Sequence, residues 1–169
     1  MVKIVEGDIF NSKEQVIVQQ LNCVAVKPHG LSNEIAKRYT YGDVYSKRRA
    51  IGSRNWAINE DIANPGDISI SKDPLTQGPI IIGIFGQYIY GKPGQYNYSI
   101  DKDNYVLREK WFKMGLDKLS EYLIDNNIQS VCFPYLIGCG LAGGNWSSYL
   151  SMIKNFSDNK PYNVVIYKL

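Results

Sequence analysis

The sequence predicts a single α/β domain, with helices on both faces of a central, mostly parallel sheet of about six strands. Three observations lead there. Apolar runs of strand length alternate with helix-patterned segments along the whole chain, in the order strand, strand, helix, irregular stretch, strand, strand, helix, strand, helix, strand. The runs EQVIVQQL and GPIIIGIFGQYIY are apolar without alternation, which suits strands covered on both faces. One long segment repeats its apolar residues at helical spacing, at Phe112, Leu116, Leu119 and Leu123.

Each element follows from local chemistry. VKIVEG opens the chain as a short strand, and the β-branched run EQVIVQQL is the second. GLSNEIAKRY has a helical pattern, with Ser32 or Asn33 as its N-cap. Residues 40–65 hold aromatics and basic residues without firm periodicity, so an irregular segment with a short helix is expected. GDISIS alternates as a strand does. A short connection through Asp73, Pro74 and Gly78 joins it to GPIIIGIFGQYIY, and pairing the two as a hairpin would make the sheet mixed. A Gly-, Pro- and Tyr-rich loop over 91–99 precedes the long helix, expected over 101–126 and ended by Asn126 and Asn127. QSVCFPY, WSSYLSMIKNF and YNVVIYKL complete the pattern as strand, helix and strand. No repeat or linker divides residues 1–169, so one domain is expected.

Composition narrows the function classes. The net charge is only +3 and the basic residues are scattered, apart from Lys47, Arg48 and Arg49. That is not the footprint of a dedicated nucleic-acid binder. The three cysteines, Cys23, Cys132 and Cys139, have no regular spacing, and His29 is the only histidine. Neither a disulfide framework nor a zinc site is expected. No signal peptide and no membrane-length apolar run is visible, so a soluble monomer in the cytoplasm or another reducing compartment is expected.

In parallel sheets, ligands bind beyond the carboxyl ends of the strands. Three segments fall there: EGDIF, LNCVAVKPHGLS and YLIGCGLAGGNW. The last two each run into a helix, whose free N–H groups suit an anion, and glycine permits close backbone approach. Side by side they would cradle a diphosphate. Neither is a Walker A loop, because no Lys-Ser or Lys-Thr follows the glycines.

Together with the GDI segment, these loops resemble the macrodomain family, which binds ADP-ribose. The resemblance covers nearly the whole chain in order. The IGCGL string followed by Trp146, and the terminal YKL, are most similar to the branch of terminal ADP-ribose glycohydrolase and of toxin–antitoxin macrodomains. It implies a three-layer α/β/α macrodomain fold without metal or cofactor, and ADP-ribose or an ADP-ribosylated protein or nucleic acid as partner. It further implies release of ADP-ribose from such a target or hydrolysis of an ADP-ribose derivative.

By the resemblance, Asp8 accepts the adenine amino group, Ile9 adds a backbone contact and Tyr167 flanks the base. Asn22 hydrogen-bonds the distal ribose, against the alternative of an Asx-turn. Gly30 belongs to the first ligand loop, and Gly138, Cys139, Gly140, Leu141 and Ala142 to the second. Lys72 matches a lysine that attacks the anomeric carbon in that branch, and His29 is the alternative acid–base group. Two departures are plain. Ala142 stands where the branch has an aspartate paired with the lysine, and Gln19 stands where phosphatase macrodomains have a histidine. A reader that binds without turnover is the first alternative. A nucleotide- or RNA-binding module using the Lys47–Arg49 cluster is the second.

Overall fold

Val16, Ile17 and Val18 are buried on consecutive positions, so their strand is covered on both faces. It is the second of nine regular elements in the computed structural model, which describes residues 1–169. These are β1 (Val2–Glu6), β2 (Val16–Asn22), α1 (Leu31–Arg38), β3 (Ile68–Ser71), β4 (Ile80–Gln87), α2 (Tyr105–Asp125), β5 (Ser130–Pro134), α3 (Trp146–Ser157) and β6 (Asn163–Lys168). One sheet holds all the strands in the order β1-β6-β5-β2-β4-β3. Every pair is parallel except β3 with β4, which form the expected antiparallel hairpin.

The larger core lies between the sheet and α2 with α3. Phe112, Leu116, Leu119 and Leu123 form the buried stripe of α2 against Val18, Ile82 and Ile84. On the other face, Ile35 of α1 packs on Ile17, Ile81 and Cys132. These layers make the expected three-layer α/β/α domain.

Three local expectations change. Gly30, not Ser32 or Asn33, caps α1, with φ 57°, and Ser32 is buried inside the helix. α2 starts at Tyr105, where Asn104 Oδ1 accepts the Leu107 amide. β4 stops at Gln87, because the Tyr88 and Ile89 amides turn to Asp103 Oδ2 at 3.2 and 2.9 Å. The 40–65 segment contains one-turn 3-10 pieces, at Thr40–Gly42, Tyr45–Lys47 and Asn59–Asp61, and an isolated antiparallel bridge between Ala50 and Ala57.

Candidate functional site

β2 lies between β5 and β4, and the segments leaving the carboxyl ends of these strands diverge around a cleft of about 640 Å³. Its walls are the first loop after β2, the segment after β4 and the glycine loop after β5. No aspartate or glutamate lines it, and Lys27 and His29 are its only basic side chains. Both are exposed at the rim.

The first loop is held from outside by the 40–65 segment. Asn22 Oδ1 accepts the Val24 and Ala25 amides at 3.1 and 2.8 Å. Asn55 Oδ1 accepts those of Val26 and Lys27 at 2.8 and 3.2 Å. The Asn22 amide donates to the Tyr45 hydroxyl, and that of Cys23 donates to Tyr88 O. Arg48 donates to Ala25 O and Asn22 O at 2.8 and 3.0 Å, with its guanidinium over the Tyr45 and Phe85 rings. Every amide from Asn22 to Lys27 is therefore spent within the protein. The next ones are not: the amides of His29, Gly30, Leu31 and Ser32 find no acceptor. They are the open end of α1, where a helix offers its positive pole.

The glycine loop is built differently. It turns tightly on itself, with Cys139 N donating to Leu136 O at 2.8 Å and Gly144 N to Gly138 O at 3.1 Å. Gly138 has φ 73°, and a Cβ there would stand 2.7 Å from Tyr149 Cε2, so only glycine fits. Leu136 also lies in the left-handed region, at φ 63°. The amides of Gly138, Gly140, Leu141 and Ala142 have no acceptor in the protein. A Cβ on Gly140 would meet nothing within 4 Å. Two sets of unspent donors thus edge one cleft.

The third wall carries Gln87, Tyr90, Gly91, Gln95 and Tyr96. The Tyr90 and Tyr96 rings meet edge to face, 5.0 Å apart. Tyr88 turns away instead and stacks on Tyr98 at 5.3 Å. At the floor, Gln87 Nε2 donates to Ile89 O, and Gln20 Nε2 donates to Gln87 Oε1 at 2.7 Å.

The expected site residues divide into four groups. Asn22, His29, Gly30, Gly138, Gly140, Leu141 and Ala142 line the cleft together. Asn22 also makes the Asx-turn, so only its Nδ2 remains to meet a ligand. Asp8, Ile9 and Tyr167 stand at the same end of the sheet, over β1 and β6, outside the lining. Asp8 Oδ1 caps a short turn by accepting the Phe10 amide at 2.9 Å, and the Tyr167 hydroxyl donates to Glu14 at 2.6 Å. Cys139 turns away from the cleft and packs on the main core.

Lys72 requires a correction. It follows β3, whose last residue, Ser71, pairs antiparallel with Ile81 near the start of β4. The cleft lies at the other end of β4, about 20 Å away at the rise of an extended strand. Lys72 is exposed and no part of the lining. The Lys47–Arg49 cluster is not a free basic patch either. Arg48 supports the first loop, and Arg49 is paired with Asp61 at 2.9 Å.

The cysteines are also unsuited to attack. Burial pushes the Cys23 and Cys132 thiols up to about 12, and Cys139 up to about 11. A thiolate is the nucleophile, and none forms near neutral pH under such conditions. Nowhere do three His, Cys, Asp or Glu side chains converge as metal ligands.

Gln20 and Asn55 escaped the sequence reading, while Lys27, Tyr90, Gln95, Tyr96 and Tyr135 lie in loops it noted without singling these residues out. The pair Gln19-Gln20 did carry a signal, being two amides inside an otherwise apolar strand. Asn55 carried none, because its role depends on a contact 29 residues away in sequence.

The comparisons agree with this architecture. No protein-family model matches the chain. The structure is similar to the macrodomain of Thermus aquaticus DarG, 17% identical with a TM-score of 0.72, over 100% of this chain and 99% of that one. It is similar to the macrodomain of Mycobacterium tuberculosis DarG, 21% identical with a TM-score of 0.73, over 100% and 98%. It is also similar to Thermosipho africanus DarTG, solved in complex with ADP-ribose, 19% identical with a TM-score of 0.68, over 98% and 41%. In sequence, a DNA ADP-ribosyl transferase–DNA ADP-ribosyl glycohydrolase fusion protein of Thermosipho africanus is 24% identical over 154 residues. The match covers 86% of this chain, which spans only 36% of that relative's length. The fold is that of a macrodomain, and macrodomains of DarG are among the solved structures that share it. No helix of the chain is long and apolar enough to cross a membrane.

Proposed function

We propose that the chain binds ADP-ribose, free or carried by a protein or nucleic acid, in the cleft over β5, β2 and β4. One observation carries the reading. Unspent amides at residues 29–32, 138 and 140–142 edge a cleft that no carboxylate lines. A diphosphate between them would meet donors from both sides and no competing negative charge. Asp8, Ile9 and Tyr167 would receive the adenine, and Asn22 Nδ2 would reach the distal ribose. The similar structure of Thermosipho africanus DarTG, which holds ADP-ribose, supports the reading.

Recognition without turnover fits the side chains better than hydrolysis. The cleft lining holds no carboxylate base, Ala142 stands where the resemblance places the branch aspartate, and Lys72 lies at the far end of β4. Hydrolysis of the ADP-ribose linkage is the second reading. It is favoured by His29, which lines the cleft, and by the glycohydrolase named in the Thermosipho relative. His29 would then serve as the acid–base group.

Calorimetry tests the first reading. ADP-ribose should bind with a dissociation constant on the order of micromolar, about −8 kcal/mol, and AMP more weakly. Equal affinity for the two ligands would refute the role of the two donor rows. Incubation with ADP-ribosylated protein and nucleic acid separates reader from hydrolase. Release of ADP-ribose that is lost in His29→Ala would establish the second reading.

A further inference from the structure

The one buried ion pair of the chain lies behind the cleft rather than in it. Asp103 and Arg108 are each only 1% exposed, and Arg108 Nε donates to Asp103 Oδ1 at 2.6 Å. Arg108 extends the apolar stripe of α2, four residues before Phe112, into a register where an apolar residue would be expected. A charge buried at this depth is tolerated only when its hydrogen-bonding capacity is filled.

Here the capacity is filled completely. A guanidinium has five N–H groups. Besides the Nε bond, one terminal nitrogen donates to Asp103 Oδ2 at 2.9 Å and to Ile89 O at 3.1 Å. The other donates to Gly91 O at 2.7 Å and to Ala142 O at 3.3 Å. Asp103 Oδ2 accepts in addition the amides of Tyr88 and Ile89. The partners beyond the pair are almost all backbone groups of two cleft walls. Ile89 and Gly91 belong to the tyrosine-bearing wall after β4, and Ala142 to the glycine loop after β5.

We infer that Arg108 and Asp103 are a positioning pair that fixes the separation of these two walls and makes them open and close as one unit. A single nitrogen, Nη1, donates to both Gly91 O and Ala142 O, so a shift of one wall relative to the other breaks a charged hydrogen bond from Arg108. The importance of this spacing for ligand binding rests on the reading of the cleft as an ADP-ribose site. The mechanical coupling does not. Lysine cannot replace the arginine, since its compact ammonium cannot span a carboxylate and three carbonyls in a plane.

Hydrogen exchange of the ligand-free protein tests the coupling. In the wild type, the Tyr88 and Ile89 amides should exchange with the same opening free energy as the Gly143 and Gly144 amides. In Arg108→Lys, both segments should exchange faster together, by about tenfold or more, while β6 and α3 stay protected. Unequal opening in the wild type would overturn the inference. So would a variant in which only the 88–91 segment loosens, or in which exchange rises uniformly over the chain. If Arg108→Lys does not fold, the wild-type comparison decides alone. A binding arm follows: Arg108→Lys should weaken ADP-ribose about tenfold yet leave AMP unchanged, since AMP does not bridge the two walls. Should wild-type protein bind neither ligand, the site reading fails while the exchange result stands.

Discussion

Replacing Gly140 separates the shape of the glycine loop from its use. Gly140 is exposed, its φ lies outside the left-handed region, and a Cβ there would meet no atom within 4 Å. Backbone conformation therefore does not require glycine here, and its bareness is available to the cleft. In Gly140→Glu a carboxylate would stand beside the diphosphate. At about 5 Å and an effective dielectric of 20, each pair of like charges costs about 3 kcal/mol. ADP-ribose affinity should fall by more than about a hundredfold, before any steric overlap is counted. Stability should not fall, because substitution of a glycine at a permissive backbone adds about 0.4–1 kcal/mol through the unfolded state. Gly138→Ala is the counterpart. Its φ of 73° and the approach of Tyr149 should cost at least about 1–2 kcal/mol, lowering Tm by several degrees. Calorimetry and thermal melting of both variants decide. A folded Gly140→Glu that keeps its affinity within threefold would refute the placement of the diphosphate.

Asp8→Ala should weaken ADP-ribose binding by about 1.5–3 kcal/mol if its carboxylate meets the adenine amino group. It should also cost about 1 kcal/mol of stability, since Asp8 caps the turn at Phe10, so melting and binding are measured together. Asn55→Ala should free the Val26 and Lys27 amides, speeding their hydrogen exchange and weakening ADP-ribose, with little effect on the exchange of β4. Stability should decline at alkaline pH. The Cys23 and Cys132 thiols have a folded pKa raised from 9.0 to about 12 by burial, so their contribution is complete below pH 9 and drains as pH rises toward 12. Denaturant titrations at pH 8 and pH 10.5 check the sign, and a flat profile would contradict the burial of these thiols.

The fold was readable because its signals are local. Continuous apolar runs marked β2 and β4, and the spacing of Phe112, Leu116, Leu119 and Leu123 marked α2. Glycines directly behind the β5 run pointed to a close-approach loop, and the structure puts Gly138, Gly140, Leu141 and Ala142 on the cleft. Lys72 shows where local reading ends. Lys72 was singled out by its match to a lysine of the resembling branch, and a strand pattern alone does not say which end of the sheet GDISIS runs toward. The antiparallel hairpin, itself readable from the short connection, sends that end to the opposite edge. Arg108 was a missed signal of another kind, a charge in the apolar register of α2.

What no local pattern could supply is the account of which backbone donors are free. Both ligand loops read alike in sequence: each follows a buried strand, contains glycine and ends in a helix. Yet the first loop spends all its amides from Asn22 to Lys27, on Asn22 itself, on Tyr45, on the Tyr88 carbonyl and on Asn55. Two of these acceptors, Tyr45 and Asn55, come from the 40–65 segment, which carries no periodic pattern. That segment determines where an anion can sit, because an amide already paired has little to offer a phosphate. Within these two loops, only the start of α1 and the glycine segment keep open donors. The diphosphate is therefore expected between Gly30 and Gly140 rather than along the NCVAV stretch. Substitutions at Cys23 or Val24 should then act through packing alone, with Tm and affinity falling in proportion. At Gly140 the two quantities should part.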